Sequence, residues 1–176
     1  MRDEPTAIEF NRLHHEDARE LCQFYNNLSR SSIRTFRPLG LVTTLAVCRA
    51  LARDNAPDRD RKFDWLAWRA GVIVGWGFLW NLDTPEPGLG LGVADELQGR
   101  GVGARLANDL MEEANRRQVD RVNLIVVRDN SRAQSIYERL GFQLTGEFVG
   151  EPDGLTYLRM AAELRRMDPT GQSPAD

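Results

Sequence analysis

Residues able to do chemistry concentrate in two short stretches. The first is Asp95-Glu96-Leu97-Gln98-Gly99-Arg100-Gly101-Val102-Gly103-Ala104. It follows a short apolar run, Leu89 to Ala94, that reads as a buried strand. It opens a segment in which Val102, Leu106, Leu110 and Ala114 step along one helix face. Glycines there free several backbone N–H groups to point into one small space. The helix start adds the positive end of its dipole, so the place favours phosphate or pyrophosphate. Arg100 and Arg105 can add charge-assisted contacts. The plain alternative is a tight strand-to-helix turn that binds nothing, and three glycines at alternate positions favour the anion. The second stretch runs from Asn130 to Phe142. Asn130 can cap a helix whose apolar face is Ala133, Ile136, Tyr137 and Leu140, and Gly141 can end it in a left-handed conformation.

Which phosphate ligand is meant depends on what surrounds the loop. No Gly-Lys-Ser/Thr follows it, so the Walker pattern is absent. Gly99-Arg100-Gly101-Val102-Gly103-Ala104 does satisfy a relaxed G-x-G-x-x-A fingerprint, with Asp129 after the next strand, so a dinucleotide-dependent oxidoreductase is a competing reading. That fold wants its glycines directly after an early strand, with further βαβ units downstream. Here the loop comes past mid-chain and antiparallel signals follow it.

The elements that must hold these stretches are legible in the periodicity. Ala7 to Leu13 reads as a strand, and an amphipathic helix from Glu16 carries Ala18, Leu21, Cys22, Tyr25 and Leu28. Ser29 to Gly40 is polar and irregular, Leu41 to Ala52 a second helix, and Asp54 to Arg61 a charged loop with Pro57. Asp64 to Ala70 and Val72 to Trp80 pivot on Gly71 as a hairpin. Val122 to Val127 is another buried strand, and Phe142 to Val149 and Leu155 to Ala161 are two last strands. The order is β-α-α-β-β-β-α-β-α-β-β. The hairpins imply antiparallel pairing and the two strand-helix units a local parallel step. The expected fold is therefore α+β: a mixed, mostly antiparallel sheet of about seven strands with helices on both faces. Residues 1–164 read as a single domain, and the polar tail 165–176, with Pro169 and Pro174, as disordered.

Composition bounds the function. The 176 residues suit one domain; 41% hydrophobic and 28% charged residues are a globular balance. A net charge of −3 demands no nucleic acid. No stretch approaches the roughly 20 apolar residues of a membrane span. Met1 to Phe10 carries charges and Pro5, unlike a secretory signal. Cys22 and Cys48 read as buried thiols of a cytoplasmic protein, and adjacent His14 and His15 are poor metal ligands, so no metal is expected.

Taken together, the two stretches resemble the GNAT superfamily of acetyl-CoA-dependent N-acetyltransferases. Gln98-Gly99-Arg100-Gly101-Val102-Gly103, set after the strand residue Val93, is similar to the family's Q/R-x-x-G-x-G/A motif. Asn130 to Phe142 is similar to its N-x-x-A-x-x-x-Y-E-K-L-G-F block. The resemblance covers roughly Trp65 to Leu164. It implies that acetyl-CoA, as co-substrate, lies where the strands Leu89–Ala94 and Val122–Val127 splay apart. Backbone groups around Leu91, Gly92 and Val93 would pair with the pantetheine arm and polarise the thioester carbonyl. The amides of Gly99, Arg100, Gly101, Val102, Gly103 and Ala104, with the Gln98 side chain nearby, would hold the pyrophosphate. Asn130 would contact the CoA arm as well as cap its helix. Tyr137 would be the general acid: a phenol with pKa near 10 can protonate a departing thiolate without being ionised at neutral pH.

The implied reaction is acetyl transfer to a primary amine, of a small molecule or a protein, by direct attack in a ternary complex. The general base is not legible. Ribosomal-protein N-acetyltransferases of this superfamily carry a glutamate where this chain has Ile125, which weakens a protein N-terminus as acceptor. Glu86, Glu96, Glu147, Glu151 and Asp153 are the remaining carboxylates, each also readable as a solvated surface group. Trp76, Phe78 and Trp80 share one strand face, as core packing or as a wall of the acceptor site. The implied partners are acetyl-CoA and an amine acceptor, and a homodimer is compatible with the reading. A non-catalytic acyl-CoA-binding module is the competing hypothesis from another class.

Overall fold

A computed structural model describes residues 7–55 and 61–164. The expected tail 165–176 and most of the charged loop around Pro57 lie outside them. The chain runs β1 (Glu9–Arg12), α1 (Ala18–Asn27), α2 (Arg30–Thr35), α3 (Leu45–Asp54), β2 (Lys62–Arg69), β3 (Val72–Trp80), β4 (Gly88–Val93), α4 (Val102–Arg116), β5 (Arg121–Val127), α5 (Ser131–Arg139), β6 (Gln143–Val149) and β7 (Thr156–Glu163). Short 3-10 turns, His15–Asp17 and Asp95–Leu97, precede α1 and the glycine loop.

The seven strands form one sheet in the order β1-β2-β3-β4-β5-β7-β6. Every neighbouring pair is antiparallel except β4 with β5. Helices cover both faces, as expected. Leu21, Phe24 and Tyr25 of α1 and Cys48 and Ala52 of α3 pack with Leu66, Trp76 and Phe78 on one face. On the other face Val102, Leu106 and Leu110 of α4 and Tyr137 of α5 pack over Val93, Leu89 and Val126. Cys22 and Cys48 are both free. Burial pushes the Cys48 thiol up to about 11, so it stays an unreactive core group.

Two central strands interlock through glycine. On the α1 face of β4, Gly88, Gly90 and Gly92 lie opposite Trp80, Phe78 and Trp76 of β3. A Cβ on Gly88 or Gly90 would come within 2.2 or 2.8 Å of the Trp80 or Phe78 ring, and one on Gly92 within 2.3 Å of Phe36. On the α4 face the sizes are reversed. A Cβ on Gly75 or Gly77 of β3 would meet Leu106 or Leu110 of α4 at 2.9 or 2.8 Å. Here β4 supplies Leu89, Leu91 and Val93. Large thus faces small at five of the six registered pairs, Leu79↔Leu89 being the exception.

Two local expectations are corrected. Ser29–Gly40 is not wholly irregular: Arg30–Thr35 forms α2, whose N-cap Ser29 accepts a hydrogen bond from the Ser32 amide. Six residues are too few for a periodic apolar face to declare itself. The next helix starts at Leu45 rather than Leu41, because Thr44 caps it by accepting from the Val47 amide. Leu41 and Val42, read as its first turn, are 70% and 73% exposed in the connection. The tryptophans resolve as core. Trp76 is fully buried and donates through Nε1 to Asp64 at 2.8 Å, and Trp65 donates to Asp109 at 2.9 Å.

The interlock predicts a stability difference between two glycines. Gly90→Ala drives a methyl into Phe78, whose ring is wedged between Trp76, Trp80 and Phe36. It should lose about 1–3 kcal/mol, as overpacking does. Gly146→Ala in β6, with open space at its Cβ, should stay within about 0.5 kcal/mol. Denaturant midpoints of the two variants check this, and equal midpoints would refute the interlock.

Candidate active site

The β4–β5 pair is registered at Gly88↔Asn123, where the Asn123 amide also donates to the Pro87 carbonyl at 2.9 Å. Beyond that point the two strands diverge and a cleft of about 880 Å³ opens between them. Gly90 to Val93 line one wall, Ile125 and Val126 the other. The glycine loop and the start of α5 close one end, and α2 closes the side toward α1. On β4 the edge facing β3 is paired, from Gly88 to Val93. The edge facing the cleft carries the remaining backbone donors and acceptors, which need a partner with amides of its own or water.

The glycine loop has the geometry its composition requires. Gly99 and Gly101 adopt φ of +75° and +87°, left-handed conformations that admit glycine without strain. Gly101 is the N-cap of α4, and the first turn-closing bond runs from the Arg105 amide to the Gly101 carbonyl at 3.0 Å. The amides of Val102, Gly103 and Ala104 therefore precede the helical ladder, although Val102 itself is buried in the core and does not line the cleft. Gly99, Gly101, Gly103 and Ala104 all line the cleft. The Arg100 amide instead donates to the Leu97 carbonyl at 3.3 Å, and the Arg100 residue is exposed. Gln98 lines the cleft, but its side chain is engaged: Nε2 donates to Ser32 Oγ at 2.8 Å and to the Val93 carbonyl at 3.1 Å, and Oε1 accepts from Arg132 at 3.1 Å.

The second stretch meets the first across the cleft. Asn130 Oδ1 accepts from the Ala133 amide at 3.2 Å, capping α5, and the residue also lines the cleft. Tyr137 lines it too, 5% exposed, its ring edge-on to Phe142. Burial alone raises its phenol well above the usual value of about 10, because the phenolate would lose its hydration. The Tyr137 proton is therefore retained throughout the neutral range.

The structure adds residues to which the sequence assigned no role. Arg132 reaches over the loop, its guanidinium carbon 4.0 Å from where a Cβ on Gly99 would stand. Its membership of the Asn130 block was the available signal. Arg34 of α2 makes a bidentate pair with Asp129, at 3.0 and 2.7 Å, across the cleft mouth. Hydrogen bonds from Arg34 hold the Asp129 carboxyl below its ordinary range. Phe36 seats its ring on Gly92. These two come from the short helix that periodicity did not show.

The five carboxylates read as base candidates do not line the cleft. Glu86, Glu96 and Glu151 are exposed. Glu147 pairs with Arg128. Asp153 is occupied by Arg37, by the Tyr157 hydroxyl at 2.7 Å and by the Leu155 amide at 2.9 Å. Among the described residues none of the four tryptophans lines the cleft, whose aromatic lining is Phe36 and Tyr137. The dinucleotide reading falls as well, since it needs repeated parallel βαβ units and this sheet has a single parallel pair. Among the described residues no helix is long and apolar enough to cross a membrane.

Comparison with known proteins identifies the family. The sequence profile of the acetyltransferase (GNAT) family matches residues 23–142, and the chain belongs to that family. Among curated relatives, a mycothiol acetyltransferase of Corynebacterium aurimucosum is 34% identical over 87 residues, 48% of this chain and 25% of that protein. A 5-NmdU N-acetyltransferase of Pseudomonas phage PaMx11 is 38% identical over 60 residues, 34% of this chain and 41% of that protein. The chain thus spans less than half the length of either relative. Among solved structures, yncA from Salmonella typhimurium with its cofactor acetyl-CoA superposes with a TM-score of 0.76 at 16% identity, covering 90% of this chain and 95% of that one. That likeness establishes the shared fold.

If the loop amides hold a pyrophosphate, Gly101→Asp sets a carboxylate beside it. Acetyl-CoA affinity, read by calorimetry, should fall by at least about tenfold, because like charges roughly 4 Å apart repel by about 1–4 kcal/mol near a protein surface. Arg100→Ala should cost less, since that side chain points to solvent. Parent-like affinity in both variants would reduce the loop to a turn.

Proposed function

We propose that this protein transfers an acetyl group from acetyl-CoA to a primary amine, by direct attack in a ternary complex. The observation that carries the reading is the cleft between β4 and β5, with the glycine-loop amides at one end and Tyr137 on its wall. Acetyl-CoA fits it part by part. The pyrophosphate suits the start of α4, with Arg132 alongside. The pantetheine amides suit the unpaired edge of β4. The thioester then falls near Tyr137, and the backbone around Leu91 to Val93 polarises its carbonyl. The names of the two curated relatives, both acetyltransferases, support the same donor chemistry.

The amine lone pair attacks the thioester carbonyl carbon and the C–S bond breaks. The sulfur takes the Tyr137 proton, and the phenolate recovers one from solvent. Burial that raises the phenol also makes the departing thiolate more basic, so the transfer stays matched inside the cleft. The attacking nitrogen must shed its own proton elsewhere. Asp129 lines the cleft, but Arg34 keeps it a weak base. The reaction therefore draws on the acceptor's neutral fraction. Small-molecule amines with accessible neutral forms suit this better than strongly basic ones, and Ile125, 54% exposed at the wall, gives no carboxylate to a protein N-terminus.

Two measurements test this. Tyr137→Phe keeps the apolar contact with Phe142 and should keep the fold and acetyl-CoA affinity, while kcat falls by roughly 10²–10⁴-fold. A kcat within a few-fold of the parent would remove Tyr137 from the mechanism. If no amine is turned over by the parent although acetyl-CoA binds, the protein is a CoA-binding module. Second, kcat/KM should rise about tenfold per pH unit and level at the acceptor's own ammonium pKa, not in the carboxylate range. Tyr137 should cause no decline below about pH 10, because its folded value is raised. A plateau that stays fixed near pH 5 while acceptors of different pKa are compared would mean a carboxylate base operates after all.

A further inference from the structure

The approach to the glycine loop contains a directional chain of hydrogen bonds. Arg132 Nη1 donates to Gln98 Oε1 at 3.1 Å, and Gln98 Nε2 donates to Ser32 Oγ at 2.8 Å. Ser32 Oγ donates to Asp95 Oδ1 at 2.8 Å. Asp95 also accepts from the Ser29 hydroxyl at 2.5 Å and the Ser29 amide at 3.0 Å. The chain starts at a cation beside Gly99 and ends at a carboxylate, so every donor points the same way and each bond polarises the next. It joins three elements far apart in sequence: α5, the turn before the loop, and α2.

The sense of the chain matters because Gln98 has two unlike ends. With its Oε1 outward it presents an acceptor to the Arg132 guanidinium. Turned over, it would set an NH2 group against that guanidinium and push it off the loop. Two groups hold that sense: the Val93 carbonyl, which can only accept and takes Nε2 at 3.1 Å, and Ser32. While the Ser32 hydroxyl proton is committed to Asp95, only its lone pairs face Gln98, and those want Nε2. Without the carboxylate the hydroxyl is free to turn, and the Val93 carbonyl alone is left to hold the amide. Ser32 is 8% exposed, so water does little to blur the choice.

We propose that Ser32 and Asp95 are positioning residues for the phosphate end of the cleft: with the Val93 carbonyl they orient Gln98 so that Arg132 stands over Gly99, and they fasten the α2 wall to the same loop. This rests on the acyl-CoA reading. It assigns a role in donor binding to a serine on the helix that otherwise forms the wall bearing Arg34 and Phe36.

The effect should be specific to the phosphate-bearing part of the donor. We would measure the affinities of acetyl-CoA and of S-acetylpantetheine, which has no pyrophosphate, for the parent and for Ser32→Ala, Ser32→Thr and Asp95→Ala. Ser32→Ala and Asp95→Ala should weaken acetyl-CoA by about tenfold, the scale of one lost charge-assisted contact. They should leave S-acetylpantetheine unchanged. Ser32→Thr keeps the hydroxyl and should bind acetyl-CoA like the parent. A mere packing role orders the pair the other way, because threonine is the bulkier residue in a buried place. Threonine weaker than alanine, equal loss for both ligands, or parent-like acetyl-CoA binding by Ser32→Ala and Asp95→Ala would each overturn the proposal. Asp95→Ala, on an exposed turn, carries the test if Ser32→Ala does not fold. If the parent binds neither ligand, the acyl-CoA reading itself fails and this one with it. Binding by the parent with unaffected variants removes the positioning role alone.

Discussion

A parallel strand pair that parts after one registered position is the constraint on which the rest depends. A β-strand is stable in a sheet because both of its edges are paired, or because water reaches the edge that is not. β4 is paired to β3 along its length, yet with β5 it is registered at Gly88↔Asn123. That leaves a row of backbone groups inside the sheet rather than at its rim. Whatever fills the gap must offer amides or water and must be narrow. The helices on one face then decide the sequel. α4 and α5 each follow one of the diverging strands, so their N-terminal ends flank the same opening.

Keeping that opening in place is a packing problem, and glycine solves it. β4 alternates glycine with leucine, so one face accepts rings from β3 and α2 while the other supplies bulk toward α4. The same alternation lets α4 approach β3 over Gly75 and Gly77. α2 adds the last wall. Its ends are tied in several directions: Ser29 and Ser32 to Asp95, Arg34 to Asp129, Phe36 to Gly92 and Arg37 to Asp153. A six-residue helix has little stability of its own. Here its position is set by side chains reaching out together with Ile33, which is buried in the core.

The parts legible in the sequence are those in which backbone does the binding. A glycine loop at a helix start, an asparagine cap and a strand-helix unit each leave a local pattern. Gly99, Gly101, Asn130 and Gly141 all take the conformations their types imply. The seven strands and their antiparallel bias were legible from alternation and turn residues. What stayed hidden depends on contacts between distant segments. Nothing local says that Arg34 reaches Asp129, 95 positions away, or that Ser32 meets Asp95, 63 positions away. Gln98 shows the limit from the other side. Its place at the cleft was legible, but its side chain is committed to Ser32, Val93 and Arg132, which no motif discloses.

The same division explains why the acceptor is harder to read than the donor. Asp129, which lines the cleft, and Glu147 and Asp153, which lie outside it, are each matched with an arginine: Arg34, Arg128 and Arg37. A wall whose acids are already neutralised exerts little pull on a polycation, because an incoming ammonium must first displace a guanidinium that makes more hydrogen bonds than it can. Selection on that side then falls to shape and apolar contact, where Phe36 and Ile125 stand exposed to the cleft. Such contacts discriminate by volume, at about 1–3 kcal/mol per methylene, and leave no sequence signature beyond a bulky residue. Under the proposed amine transfer, an apolar body carrying a single neutral amine would suit this wall at least cost, and a basic, flexible chain would suit it worst.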